Sequence, residues 1–98
     1  MTIQDITEKI KDAASSVKPL GHTVKFVFGD QTIHVDGTGD ESIVTNEDKD
    51  AECTISMKME TFEKLKSGKL NPMMAMMTGK VKIKGDMGIA MKLQNYLS

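Results

Sequence analysis

The sequence predicts an α+β domain of two layers, a five-stranded mixed sheet with four helices covering one face. Three observations point to it. Five segments alternate apolar and polar residues, the period-two pattern of strands with one covered and one wet face. Four other segments repeat apolar residues at three- or four-residue spacing, which makes helices that need a surface to lie against. Glycine, proline, asparagine and aspartate punctuate the boundaries. The order is α-β-β-β-β-α-α-β-α, and one-sided strands require the helices to pack on a single face.

Residues 3–17 carry Ile3, Ile6, Ile10, Ala13, Ala14 and Val17 as a helical stripe. Thr2 suits the N-cap, Asp5 suits the positive end of the helix dipole, and Pro19 and Gly21 stop the helix. In residues 23–28, Val24, Phe26 and Phe28 point one way and Thr23, Lys25 and Val27 the other. Gly29-Asp30 makes a hairpin turn, and residues 31–36 return with Ile33 and Val35 on the apolar face. Residues 42–45 form a short third strand after the turn at 37–40, completing a meander.

A polar loop, residues 46–50, leads to a fourth strand over residues 51–57, with Ala51, Cys53, Ile55 and Met57 on one side. A second helix carries Met59, Phe62 and Leu65 and ends at Gly68. Asn71-Pro72 opens a third, short helix, with Asn as cap and Pro in the first turn. Residues 80–84 alternate Lys80, Lys82 and Lys84 against Val81 and Ile83. Gly85 breaks that strand, and Asp86 caps a last helix bearing Met87, Ile89, Ala90, Met91, Leu93 and Leu97. Helices join the fourth and fifth strands, so this pair can run parallel or antiparallel.

The 98 residues suit one domain, residues 1–98, with no linker or repeat. A net charge of −1 argues against a nucleic-acid partner. Cys53 is the one cysteine, so no internal disulfide forms, and a reducing, cytoplasmic location is expected. No apolar run approaches the ~20 residues of a membrane span. No secretory leader or terminal address is evident.

Nine methionines against three Phe, one Tyr and no Trp is the unusual feature. Met73, Met74, Met76 and Met77 make the third helix apolar nearly all round. Such a helix either fills an irregular core or forms an adaptable wall against a lipid. A soft-metal, Cu(I)-type reading is the weakest, because no thiolate or histidine lies nearby in sequence.

The lysines of the fifth strand read as a solvated face that discourages edge pairing, or as a contact for anionic head groups or phosphates. His34 and Asp36 share a strand face, while the position of His22 just before the first strand is unconstrained, and two ligands do not make a metal site; exposed residues on the wet face are expected. Cys53 falls on the apolar side, where a thiol is a small hydrophobe rather than a nucleophile. No catalytic constellation and no phosphate-binding glycine loop is present, so no enzyme and no cofactor are expected.

One stretch is specific. It runs Phe62-Glu63-Lys64-Leu65-Lys66-Ser67-Gly68-Lys69-Leu70-Asn71-Pro72-Met73, then Gly79-Lys80-Val81-Lys82-Ile83-Lys84-Gly85-Asp86-Met87. It resembles the hallmark segment of the sterol carrier protein 2 domain family, and the earlier strands match in character. The resemblance implies a five-stranded sheet covered on one side by helices, with an apolar tunnel between. It implies a non-enzymatic carrier of fatty acids, fatty acyl-CoA or sterol-like lipids; transient membrane contact is a separate expectation. By position, the tunnel wall would come from Phe26, Ile33, Ile55, Phe62, Met73, Met74, Met77, Ile83, Met87 and Met91. Without an attached thiolase or dehydrogenase module, the expectation is a stand-alone, bacterial member. A protein-interaction module with a filled core is the alternative.

Overall fold

The computed structural model describes residues 2–92. Leu93, Leu97 and the C-terminal residues considered above lie outside the described residues. The elements run α1 Ile3–Ser15, β1 Thr23–Phe28, β2 Gln31–Asp36, β3 Ile43–Thr45, β4 Cys53–Met57, α2 Met59–Lys66, α3 Pro72–Met77, β5 Val81–Gly85 and α4 Met87–Lys92. The strands form one sheet in the order β3-β2-β1-β4-β5. The parallel pair is β1 with β4, and β4 with β5 is antiparallel, which resolves the pairing that the residues left open.

Register places Ile33, Phe26, Ile55 and Ile83 side by side across four strands on one face. Val35, Val24 and Cys53 make a second row beside it. Ile6, Ile10 and Ala14 of α1 and Phe62 and Leu65 of α2 are buried in the same core. α1 lies against β3, whereas α3 and α4 lie against β5 and β4. The helices therefore divide the apolar face between them.

Local chemistry sets the element ends. Thr2 and Asp5 form a reciprocal capping box on α1: the Asp5 N–H donates to Thr2 Oγ1 (3.2 Å) and the Thr2 N–H to Asp5 Oδ2 (3.0 Å). The Met73 N–H donates to Asn71 Oδ1 at the start of α3 (2.8 Å), and the Gly88 N–H to Asp86 Oδ1 at the start of α4 (2.8 Å). Gly85 ends β5 with φ +105°, and a Cβ there would run into the Glu52 carbonyl.

The opposite face is not uniformly wet. To travel from β3 at one edge to β4 the chain must pass β2 and β1, and it does so over the outer face. Lys25 Nζ, on the outer side of β1, contacts Asp48 Oδ1 at 2.9 Å. His34, on the outer side of β2, is only 4% exposed, and its Nε2 bonds the Asp50 carbonyl at 3.2 Å. The expectation of an exposed His34 is thus corrected: the loop after β3 covers it. A carbonyl only accepts, so Nε2 carries the proton.

Candidate functional site

An apolar cavity of about 210 Å³ opens between the β4–β5 end of the sheet and helices α2, α3 and α4. Ile55 and Ile83 form its floor, with Val81 beside them. Leu65 comes from α2, Pro72, Met73 and Met76 from α3, and Met87, Ala90 and Met91 from α4. Among the described residues the lining holds no charged side chain. An apolar cavity of ~150 Å³ stays dry and accepts a benzene-sized guest, so this one is large enough to hold part of an acyl chain.

The direction of each α3 side chain follows from helix geometry. At about 100° per residue, Pro72, Ala75 and Met76 fall on one arc, Met73 sits at its edge, and Met74 and Met77 lie opposite. Ala75 is wholly buried, so α3 approaches the sheet closely, and its carbonyl accepts the Lys80 N–H at 2.9 Å. Met76 and Met73 then reach the cavity. Met74 is 52% exposed and Met77 78% exposed.

Of the ten residues expected to wall the lipid site, Ile55, Met73, Ile83, Met87 and Met91 line this cavity. Phe26, Ile33 and Phe62 are fully buried elsewhere in the core. Phe26 and Ile33 lie at the β1–β2 side of the same row, away from the gap between α3, α4 and β5. Phe62 is held against Phe28, ring to ring at 5.8 Å and 88°. Met74 and Met77 lie outside the cavity, on the outer surface of α3. Sequence reasoning missed Leu65, Pro72, Met76, Val81 and Ala90 as lining residues. Leu65 follows Phe62 by three positions, one turn on, and Ala90 follows Met87 in the same way. That spacing was available as a signal.

A second and larger concavity, about 560 Å³, has a different character. Lys58, Lys64, Lys80 and Lys82 line it with Ser56, Thr61, Thr78 and Gly79. Its one carboxylate, Glu60, is paired with Lys64 at 3.1 Å, and that ammonium holds the Glu60 carboxyl below its ordinary value. This cleft is of mixed character, with Val27 and Met57 in its wall beside the four lysines.

The other chemically capable residues are occupied separately. His34 holds the Asp50 carbonyl, His22 Nδ1 lies 3.3 Å from Glu52 Oε1, and Asp36 Oδ1 accepts the Thr38 N–H at 2.9 Å. No three of the described His, Cys, Asp and Glu residues group as metal ligands. The methionines of α3 diverge, with Met74 and Met77 facing away from Met76. Cys53 is buried, and that burial, followed by the Asp86 charge, pushes its thiol up from the ordinary value. A thiol raised in this way is a poor nucleophile at neutral pH.

Residues 3–98 match the SCP-2 sterol transfer family. The chain belongs to that family. Family membership makes this a lipid-binding and lipid-transfer type of domain. Sterol carrier protein 2 of Homo sapiens is 37% identical over 103 residues, which cover 97% of this chain and 19% of that protein. Hydroxysteroid dehydrogenase-like protein 2 of Danio rerio is 50% identical over 48 residues, 49% of this chain and 12% of that protein. The chain thus spans about a fifth of the length of the sterol carrier proteins it matches.

Solved structures agree on the fold. The sterol carrier protein domain 2 of Helicoverpa armigera superposes with a TM-score of 0.77 at 25% identity, covering 95% of this chain and 83% of that one. The apo form of sterol carrier protein 2 from Yarrowia lipolytica gives 0.75 at 24% identity, covering 94% and 86%. No described helix is long and apolar enough to cross a membrane.

Proposed function

We propose that this SCP-2 domain is a non-enzymatic carrier that holds the hydrocarbon part of a lipid in the cavity between β4, β5 and helices α2, α3 and α4. A fatty acid, fatty acyl-CoA or sterol-like lipid is the class of cargo. The observation that carries this reading is the wholly apolar lining of the 210 Å³ cavity. Each methylene moved out of water contributes ~0.8 kcal/mol, so six of them would give ~5 kcal/mol, a sub-millimolar Kd. Tighter binding requires the mouth of the cavity as well. Met73, Met87 and Met91 stand there half-exposed or more, and their unbranched thioethers can fold over a longer chain. A deformable methionine wall favours a flexible acyl chain over a rigid fused-ring sterol.

Native mass spectrometry of the purified protein, with extraction of any bound species, tests the reading directly. The expected result is a co-purified lipid or, after delipidation, stoichiometric uptake of a fluorescent fatty acid. Ligand at about 100 times its Kd should raise stability by ~2.7 kcal/mol. A protein free of lipid, with no uptake and no thermal shift on titration with long-chain fatty acid or acyl-CoA, would overturn the carrier reading in favour of a filled-core interaction module.

A further inference from the structure

We propose that the lysine cleft at the junction of β4 and α2 binds the phosphate group of a soluble phosphorylated small molecule, at a site separate from the apolar cavity. The floor of the cleft is the row Val27, Ser56 and Lys82, on the sheet face turned away from that cavity. Its wall comes from α2 and from Thr78, Gly79 and Lys80, between α3 and β5. The sheet therefore stands between the cleft and the Ile55–Ile83 floor of the cavity.

The cleft lies at the C-terminal ends of β1 and β4, the parallel pair, and the single residue Lys58 joins the end of β4 to the start of α2. A junction of this kind aims unpaired backbone N–H groups at the space beyond the strand ends, where phosphate is well received. The first hydrogen bond of α2 runs from the Phe62 N–H to the Lys58 carbonyl at 3.1 Å, and no side chain caps the helix. The N–H groups of Met59, Glu60 and Thr61 thus have no partner among the described residues. Lys58 occupies the N-cap, where an oxygen acceptor is preferred, and adds positive charge at the positive end of the dipole. An anion seated there removes the conflict.

A buried hydroxyl points to the same ligand. Thr61 is 7% exposed and lines the cleft. Among the described residues its Oγ1 has no hydrogen-bond partner, yet it is not sealed from the surface, so it opens on the cleft. Such a hydroxyl is a free donor for an oxyanion. Ammonium groups join it: Lys64 is paired with Glu60, whereas Lys58, Lys80 and Lys82 have no ion pair among the described residues. The Glu60 carboxyl is held down first by Lys64 and then also by Lys58 and Lys80, so three of the ammoniums converge on one place. Four lysines against one carboxylate leave the lining at +3 in a chain of net charge −1. Backbone N–H groups, a hydroxyl and ammoniums around one space are the donors a phosphate needs, while Val27 and Met57 offer carbon surface to the rest of the ligand.

Pyrophosphate is the probe, added to the full, delipidated chain at constant ionic strength. Calorimetry should show one site with a Kd below about 1 mM, and the amide resonances of Met59, Glu60 and Thr61 should shift with the same Kd. Lys80→Gln with Lys82→Gln should weaken binding about a hundredfold, because each hydrogen bond to a charged group is worth about tenfold or more. Both lysines are exposed, so this variant should fold. Thr61→Val should weaken binding about tenfold without lowering Tm, because the hydroxyl it removes has no partner in the fold. Lys9→Gln with Lys11→Gln, the same change of charge at exposed positions of α1, should leave the Kd unchanged. Saturation with long-chain fatty acid should also leave it unchanged, because the apolar cavity lies across the sheet.

Four results would overturn the proposal: no saturable binding of pyrophosphate by the wild type; equal losses from the α1 and β5 lysine pairs, which would mean diffuse charge attraction; a lower Tm for Thr61→Val, which would make the hydroxyl part of the fold; or displacement of pyrophosphate by fatty acid, which would assign the phosphate to the lipid's own site.

Discussion

Replacing Ala90 with leucine should raise stability and lower lipid uptake at the same time. Ala90 is 8% exposed and lines the apolar cavity from α4. The substitution adds three carbon groups, worth up to ~2.4 kcal/mol at ~0.8 kcal/mol each if they enter unoccupied space. Lost rotamer freedom takes back about 0.5–1 kcal/mol. Helix propensity changes little, because leucine ranks close behind alanine. The expected net gain is about 1–1.5 kcal/mol, and a domain this size shifts by about 4–8 °C in Tm per kcal/mol. A rise of roughly 5–10 °C should therefore appear in a thermal melt of the delipidated protein.

The same carbons occupy the space a lipid chain needs. Fluorescent fatty acid should bind the variant more weakly, and added fatty acid should raise its Tm less than it raises that of the wild type. Opposite signs make the test sharp. A lower Tm in the delipidated variant would mean that the region is already close-packed, since overpacking costs about 1–3 kcal/mol. A higher Tm with unchanged uptake would mean that the cavity exists but is not where lipid binds.

Three further outcomes are expected. His34→Ala should destabilise the domain by about 1–3 kcal/mol in chemical denaturation, because it removes a buried ring and its bond to the Asp50 carbonyl; an effect below ~0.5 kcal/mol, typical of an exposed site, would contradict the covering loop. Glu52 is held below its ordinary value, first by the Thr23 N–H and then by His22, so its stabilising effect is complete above about pH 4.3, the ordinary glutamate value, and is lost as pH falls through the lower folded value. Glu52→Ala should accordingly lower Tm at pH 7, with the gap to wild type closing in acid; a gap that is constant with pH would exclude the carboxylate as its source. Cys53 should resist thiol reagents at pH 7 until the protein is unfolded, because it is 1% exposed and its thiol is raised by burial; rapid labelling of the native protein would refute this.

Most of the fold was legible because its strands have two chemically distinct faces. Val24, Phe26 and Phe28 against Thr23, Lys25 and Val27 fix which side of β1 is covered, and period two admits no other reading. Thr2, Asn71 and Asp86 marked helix starts because each carries a short acceptor at the position where backbone N–H groups lack partners. Strand order was not legible. Nothing in Asn46 to Glu52 shows that this segment crosses β2 and β1, so neither the parallel pairing of β1 with β4 nor the burial of His34 could be read from it.

The site was half legible, for a reason specific to α3. A helix is oriented by the contrast between its faces, and Pro-Met-Met-Ala-Met-Met has none. What orients it is the smallest residue. Ala75 lets the backbone close on the sheet, and its neighbours then divide, Met76 inward and Met74 and Met77 outward. An ordinary soluble helix would place charged residues at those outward positions. Here the charges stand on either side of the helix, Lys69 before it and Lys80, Lys82 and Lys84 after it. The domain thus keeps methionine on both sides of one thin helix, toward its cavity and toward its surroundings. A wall that must meet hydrocarbon on its inner side needs only Met73 and Met76. Met74 and Met77 are superfluous to the cavity, and a run of four methionines around one alanine carries no contrast by which the sequence could have told them from Met73 and Met76.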